Sequence, residues 1–139
     1  MAGHTRIVLK DGMAFDVEVG GHAFRFDADP EFGGRNYVPP PKPLVLSALA
    51  GCSGMDVVAI LKKMQMPFDS FSVDVEGDTS QEHPKVYTKI KITYAFTGTA
   101  LDTAKIEKAV NLSLDKYCGV AAMLKKTAEI TYEVVTNPA

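Results

Sequence analysis

The sequence predicts an α+β domain with the order β-β-β-α-β-β-α-β. Three observations carry this. Several short stretches alternate apolar and polar residues with period two. Two longer stretches repeat apolar residues at helical spacing. Glycine, proline and aspartate clusters separate them at short intervals. The chain has 139 residues, 46% apolar and 23% charged, with formal net charge −2. That is enough for a single domain over 1–139 with a real core.

The first thirty residues read as a three-strand meander. Thr5 to Lys10 meets a turn at Asp11-Gly12, and Ala14 to Val19 alternates apolar and acidic residues. Gly20-Gly21 makes a second tight turn before His22 to Asp27. Residues 28–43 read as a loop, because Asp29-Pro30, Gly33-Gly34 and the Pro39-Pro40-Pro41-Lys42-Pro43 run oppose regular structure. The proline run serves as a connector, or as a stiff segment reaching over a partner subunit.

Pro43 to Met66 reads as the first helix, opened by a proline and stopped by Pro67. From Leu44 to Leu61 apolar and small residues cover every face, with Asp56 as the one charge. A helix that is apolar all round must be covered on all sides. One small sheet covers one side, so the second helix, or the same helix of a second chain, must supply the rest. Ser47, Gly51, Ser53, Gly54 and Asp56 interrupt the apolar run and oppose a membrane span. Asp69 to Gly77 and Tyr87 to Thr97 alternate as antiparallel strands with one wet face, joined by a polar loop. A second helix opens near Thr99 to Asp102 and runs to about Lys126, with a bend expected at Gly119. Glu129 to Val135 is the last strand.

The charge balance gives no basic stripe for nucleic acid and no attraction to an anionic membrane. Met1 to Arg6 lacks the apolar core of an export signal, so a cytoplasmic location is expected, where thiols stay reduced. Cys52 and Cys118 each fall within a helical segment. From the thiols alone two readings stand: a nucleophile with a partner that traps its oxidised form, or two buried structural residues. No histidine lies near either cysteine in the sequence, which falls short of a zinc set.

Asp56 follows Cys52 by four residues and shares its helix face. An ionised neighbour opposes thiolate formation, so Asp56 either balances a cation such as Lys10, Arg6 or Arg35, or pairs structurally at a dimer seam. Positions 6 and 10 fall on one face of an alternating strand, so both can reach one site. Tyr117, next to Cys118, reads as a core aromatic with its hydroxyl at an edge, or as a hydrogen-bond partner of a substrate oxygen. The methionines, Met55, Met64, Met66 and Met123 among them, read as interface packing or as the lining of an apolar pocket.

The segment Leu46 to Val58, with Ala50-Gly51-Cys52-Ser53-Gly54-Met55-Asp56, resembles the first cysteine motif of the OsmC/Ohr family. Ala109 to Ala121, with Asp115-Lys116-Tyr117-Cys118-Gly119, resembles the second. The Asp56-Val57-Val58 continuation and the Lys116-Tyr117-Cys118 lead-in are most similar to the YhfA-like branch. The resemblance implies an intertwined homodimer, its central buried helices flanked by antiparallel sheets. It also implies a thiol-dependent peroxidase acting on organic hydroperoxides. Cys52 would form a sulfenic acid, Cys118 would resolve it to a disulfide, and a dithiol would reset the pair, with no metal or other cofactor needed. The chain departs from the family at two places. Pro43 stands where active members carry a glutamate nine residues before the first cysteine, and Lys10-Asp11-Gly12 replaces Arg-Asp-Gly. Lysine supplies charge without the bidentate fork of arginine, which leaves Lys10 and Arg6 as candidate supports. The alternative is a non-catalytic dimer of this fold that binds a small apolar ligand and keeps its thiols structural.

Overall fold

The computed structural model describes residues 3–139. The chain divides into two compact units, Met1–Val45 and Leu46–Ala139.

In the first unit, β1 (Thr5–Asp11), β2 (Ala14–Val19) and β3 (His22–Phe26) form the expected antiparallel meander. The β2–β3 turn needs positive φ at two successive residues. Gly20 and Gly21 supply it at +56° and +78°, with no Cβ to clash. A register shift between Leu9 and Asp11 puts a bulge at Lys10. Past β3, the buried Asp27 latches the loop by accepting the backbone N–H groups of Ala28 and Arg35 at 2.8 and 2.9 Å. Those two bonds, opposed by burial, hold its carboxyl below the usual aspartate range. The loop is less irregular than its prolines suggest: Pro30–Phe32 makes one 3₁₀ turn, started by proline at its first position.

The second unit is built on β5 (Tyr87–Thr97). Ile90, Ile92, Tyr94 and Phe96 all point to one face of it and are fully or almost fully buried. β4 (Ser70–Thr79) pairs with β5 antiparallel and adds Phe71, Val73 and Val75 to the same core. β6 (Glu129–Thr136) pairs with β5 in parallel, not antiparallel as expected. The reason lies in the connection: a helical crossover between β5 and β6 returns the chain to the same end of the sheet.

The first helix, α1 (Pro43–Lys63), is long and apolar enough to cross a membrane by length and composition. Here one stripe of it, Leu49, Ser53, Val57 and Leu61, is buried. Gly54 lets the helix approach β4 closely: a Cβ there would meet Val73 Cγ2 at 3.4 Å. The opposite side stays open, with Met55 75% exposed and Val45 and Val58 also in solvent.

The second helix is three pieces rather than one. α2 (Thr103–Leu112) is capped by Asp102, whose side chain accepts the N–H of Lys105 at 3.3 Å. A π turn follows over Ser113–Tyr117, then Cys118 in extended backbone, then the short α3 (Gly119–Leu124). The break comes one residue before the expected bend at Gly119. The Cys118 N–H reaches back to the Ser113 carbonyl at 2.7 Å, a five-residue span that inserts one extra residue into the turn.

α1 stops three residues earlier than the Pro67 signal suggests, in a Schellman arrangement. The N–H of Met66 bonds the Leu61 carbonyl at 3.0 Å and that of Gln65 bonds the Lys62 carbonyl at 3.1 Å. Gln65 therefore sits at φ +57°, where glycine is usual. Gln65→Gly should stabilise the protein by about 0.5–1 kcal/mol, read as an upward shift of the urea midpoint with an unchanged slope.

Candidate functional site

Two local features bring the candidate residues together. On α1, the i, i+4 spacing stacks Cys52 and Asp56 on one face. On the crossover, the π turn releases Cys118 from helical geometry at a point packed into the core of the second unit. The two Sγ atoms and a carboxylate oxygen of Asp56 all lie within 4.8 Å of one another. Cys52 and Asp56 are half-buried, whereas Cys118 is only 3% exposed.

The two thiols differ in character. Burial pushes the Cys118 thiol up to about 11, and the hydrogen bond and charge of Cys52 add to the rise. The Ala121 N–H, 3.3 Å from Cys118 Sγ, acts in the other direction. Cys118 thus holds its proton at neutral pH, and Cys52 is the thiol within reach of solvent. Both cysteines are free.

Sequence reading missed the groups that hold Asp56. Ser113 Oγ donates to Asp56 Oδ2 at 3.0 Å. Ser113 Oγ lies 2.8 Å from Ser53 Oγ, which lies 2.6 Å from the Tyr94 hydroxyl. A carboxylate only accepts, so it sets the direction of the whole chain: Tyr94 donates to Ser53, Ser53 to Ser113, and Ser113 to Asp56. Ser53, Ser113 and Tyr94 are fully buried. Among the described residues no buried side-chain polar atom lacks a partner. The signal was present: a serine in the middle of an all-apolar helix must find a partner. Yet Ser53 registers in the sequence as an interruption of the apolar run, and nothing there links it to positions 94 and 113.

The other candidates are placed as follows. Lys10 and Arg6 belong to the first unit. Lys10 Nζ lies 3.7 Å from Asp16, and Arg6 pairs in register with Glu18. Arg35 bonds Asp11 at 2.7 Å in the same unit. Asp56 has no cation among its hydrogen-bond or ion-pair partners in the described residues; its partner is the Ser113 hydroxyl. Tyr117 is 54% exposed, not a core aromatic, because the π turn carries it outward, where Lys116 Nζ lies 5.3 Å from its ring centre. Met66 is buried in the core, whereas Met55 and Met123 are open to solvent.

Burial also raises the Tyr94 hydroxyl, to about 12, against the lowering effect of its bond to Ser53. For both groups the folded state holds a proton that the unfolded chain releases above its ordinary value, 9.0 for Cys118 and 10.0 for Tyr94. Stability should therefore fall as pH rises from about 9 to about 12. In chemical denaturation across that range, Cys118→Ala should flatten the decline between pH 9 and 11 and leave the higher part in place.

Residues 33–133 match the family described as OsmC-like protein. Protein YhfA of Escherichia coli K12 is 36% identical over 134 residues, which span 94% of this chain and 97% of YhfA. The crystal structure of a hypothetical protein from Aquifex aeolicus superposes with a TM-score of 0.82 at 28% identity, covering 99% of both chains. An organic hydroperoxide resistance protein OsmC from Legionella pneumophila has the same fold, with a TM-score of 0.73 at 14% identity and 97% of each chain covered. Matched by the family model over most of its length and 36% identical to YhfA, the chain belongs to the OsmC-like family.

Proposed function

We propose that this protein is a thiol-dependent peroxidase that reduces organic hydroperoxides. The observation that carries the reading is the approach of an accessible Cys52 and a buried Cys118 within one core. Cys52 as thiolate attacks the distal peroxide oxygen, the O–O bond breaks, and the alkoxide takes a proton and leaves as the alcohol. The sulfur is now a sulfenic acid. Cys118 gives up its proton and attacks that sulfur, water leaves, and the disulfide forms. A dithiol returns both sulfurs to the reduced state. The unequal burial supports the division of roles, since the first step needs a thiol that substrate can reach. The name of the Legionella neighbour supports the substrate class.

The working form in this reading is a homodimer, located in the cytoplasm. α1 buries one stripe in its own chain and leaves Val45, Met55 and Val58 exposed, while β1 and β3 expose Ile7, Leu9 and Phe24. An open, largely apolar cleft of about 420 Å³ runs along α1, lined by Gly51, Gly54, Met55, Val58, Ala59 and Phe71. A second copy covers these surfaces, as a helix apolar on all faces requires.

Reduced protein should consume cumene hydroperoxide and lose about two mass units, the two hydrogens removed when two thiols become a disulfide. Cys52→Ser should abolish both effects. Cys118→Ser should allow one round of reduction and then stop. An unchanged mass with no consumption would sink the peroxidase reading and leave the apolar clefts beside α1 as the place to look for a ligand. Light scattering after size exclusion should return a dimer; a stable monomer would remove the dimer from the proposal.

A further inference from the structure

We propose that Cys52, Asp56 and Cys118 together form a binding site for a zinc-class divalent cation in the reduced protein. The sequence offers two sulfurs with no histidine near either. The fold adds the third donor, the Asp56 carboxylate, one helical turn from Cys52 and facing Cys118. Zinc sits about 2.3 Å from thiolate sulfur and about 2.0–2.2 Å from carboxylate oxygen in tetrahedral sites. Donors around such an ion are separated by roughly 3.5–3.8 Å, by that geometry. Here all three lie within 4.8 Å of one another, about an ångström beyond the separation such an ion sets.

The surroundings have the features of a built site. Ligating carboxylates are oriented by outer hydrogen bonds. The buried chain Tyr94–Ser53–Ser113 ends on Asp56 Oδ2 and leaves Oδ1 without a hydrogen bond among the described residues. The Ala121 N–H already points at Cys118 Sγ, as amide donors do toward a metal-bound thiolate. Cys118 is buried and its position is set by the backbone, while Cys52 and Asp56 reach solvent and leave the fourth position open to water or an external ligand. Two sulfurs and one oxygen select a soft or borderline ion over magnesium or calcium. On binding, the two thiol protons pass to solvent and each sulfur gives a lone pair to the ion. The bound ion shields the same two sulfurs from alkylation and oxidation.

The test is anaerobic titration of the reduced protein with cobalt(II), followed by displacement with zinc. No peroxide is used, so the result is separate from the fate of the peroxidase reading. One equivalent should give thiolate-to-cobalt charge-transfer bands and tetrahedral d–d bands, and one equivalent of zinc should remove them. Cys52→Ser and Cys118→Ser should each abolish the paired-thiolate spectrum. Asp56→Asn should weaken binding by more than the roughly 10–100-fold expected of Ser113→Ala, which removes an outer partner only. Absence of thiolate bands in the unmodified protein would overturn the proposal. So would an affinity unchanged by both Asp56→Asn and Ser113→Ala.

Discussion

Everything in the second unit depends on one packing contact: the buried stripe of α1 against the inner face of β5. Ile90, Ile92, Tyr94 and Phe96 line that face, and Leu49, Ser53, Val57 and Leu61 lie within the same core. Close packing at this density leaves little freedom in helix rotation. Once Leu49 and Val57 are buried, Ser53 must be buried between them, and Cys52 and Asp56 must stand at the edge of the stripe. Tyr94 is then the group that receives Ser53. A helix turned by one residue would bury Cys52 and leave Ser53 in its place.

The second constraint is the break in the crossover helix. An uninterrupted helix would keep the Cys118 N–H in its own ladder and continue the backbone through the thiol. The π turn instead spends one extra residue, sends Tyr117 outward and leaves Cys118 extended at the start of α3. Cys118 Sγ then accepts the Ala121 N–H, the role a serine or aspartate oxygen plays at an ordinary helix start. The same side chain is thus both a cap and half of the thiol pair. Its burial, against the opposing pull of the Ala121 N–H, accounts for its firm hold on its proton.

Asp56 sits at the junction of the thiol pair and a buried hydroxyl chain. Its carboxylate lies beside two sulfurs, and the hydroxyl chain holds it in place. Such a chain is favourable only when every member is satisfied. It is satisfied here when the carboxylate is the final acceptor, since each hydroxyl then gives one hydrogen bond and takes none or one. The arrangement gives Asp56 a fixed direction through a hydroxyl, with no cationic side chain bonded to it among the described residues.

Most of the fold was legible in the residues themselves. Period-two alternation marked β2, β4 and β5, paired glycines marked the β2–β3 turn, and Pro43 and Pro67 bracketed α1. These are local signals: each depends on neighbours within a few residues and on backbone sterics. The motifs around Cys52 and Cys118 were legible for the same reason. Three things were decided only by tertiary structure. β6 runs parallel to β5 because of where the crossover returns, which no single segment encodes. The helix breaks at Cys118 because the core takes that thiol inward, overriding the helical spacing around it. The chain Tyr94–Ser53–Ser113–Asp56 joins four polar groups from β5, α1 and the π turn, far apart in sequence. Hydrogen bonds of that kind exist only after the apolar residues around them have packed, so the sequence determined the elements and the fold determined the site.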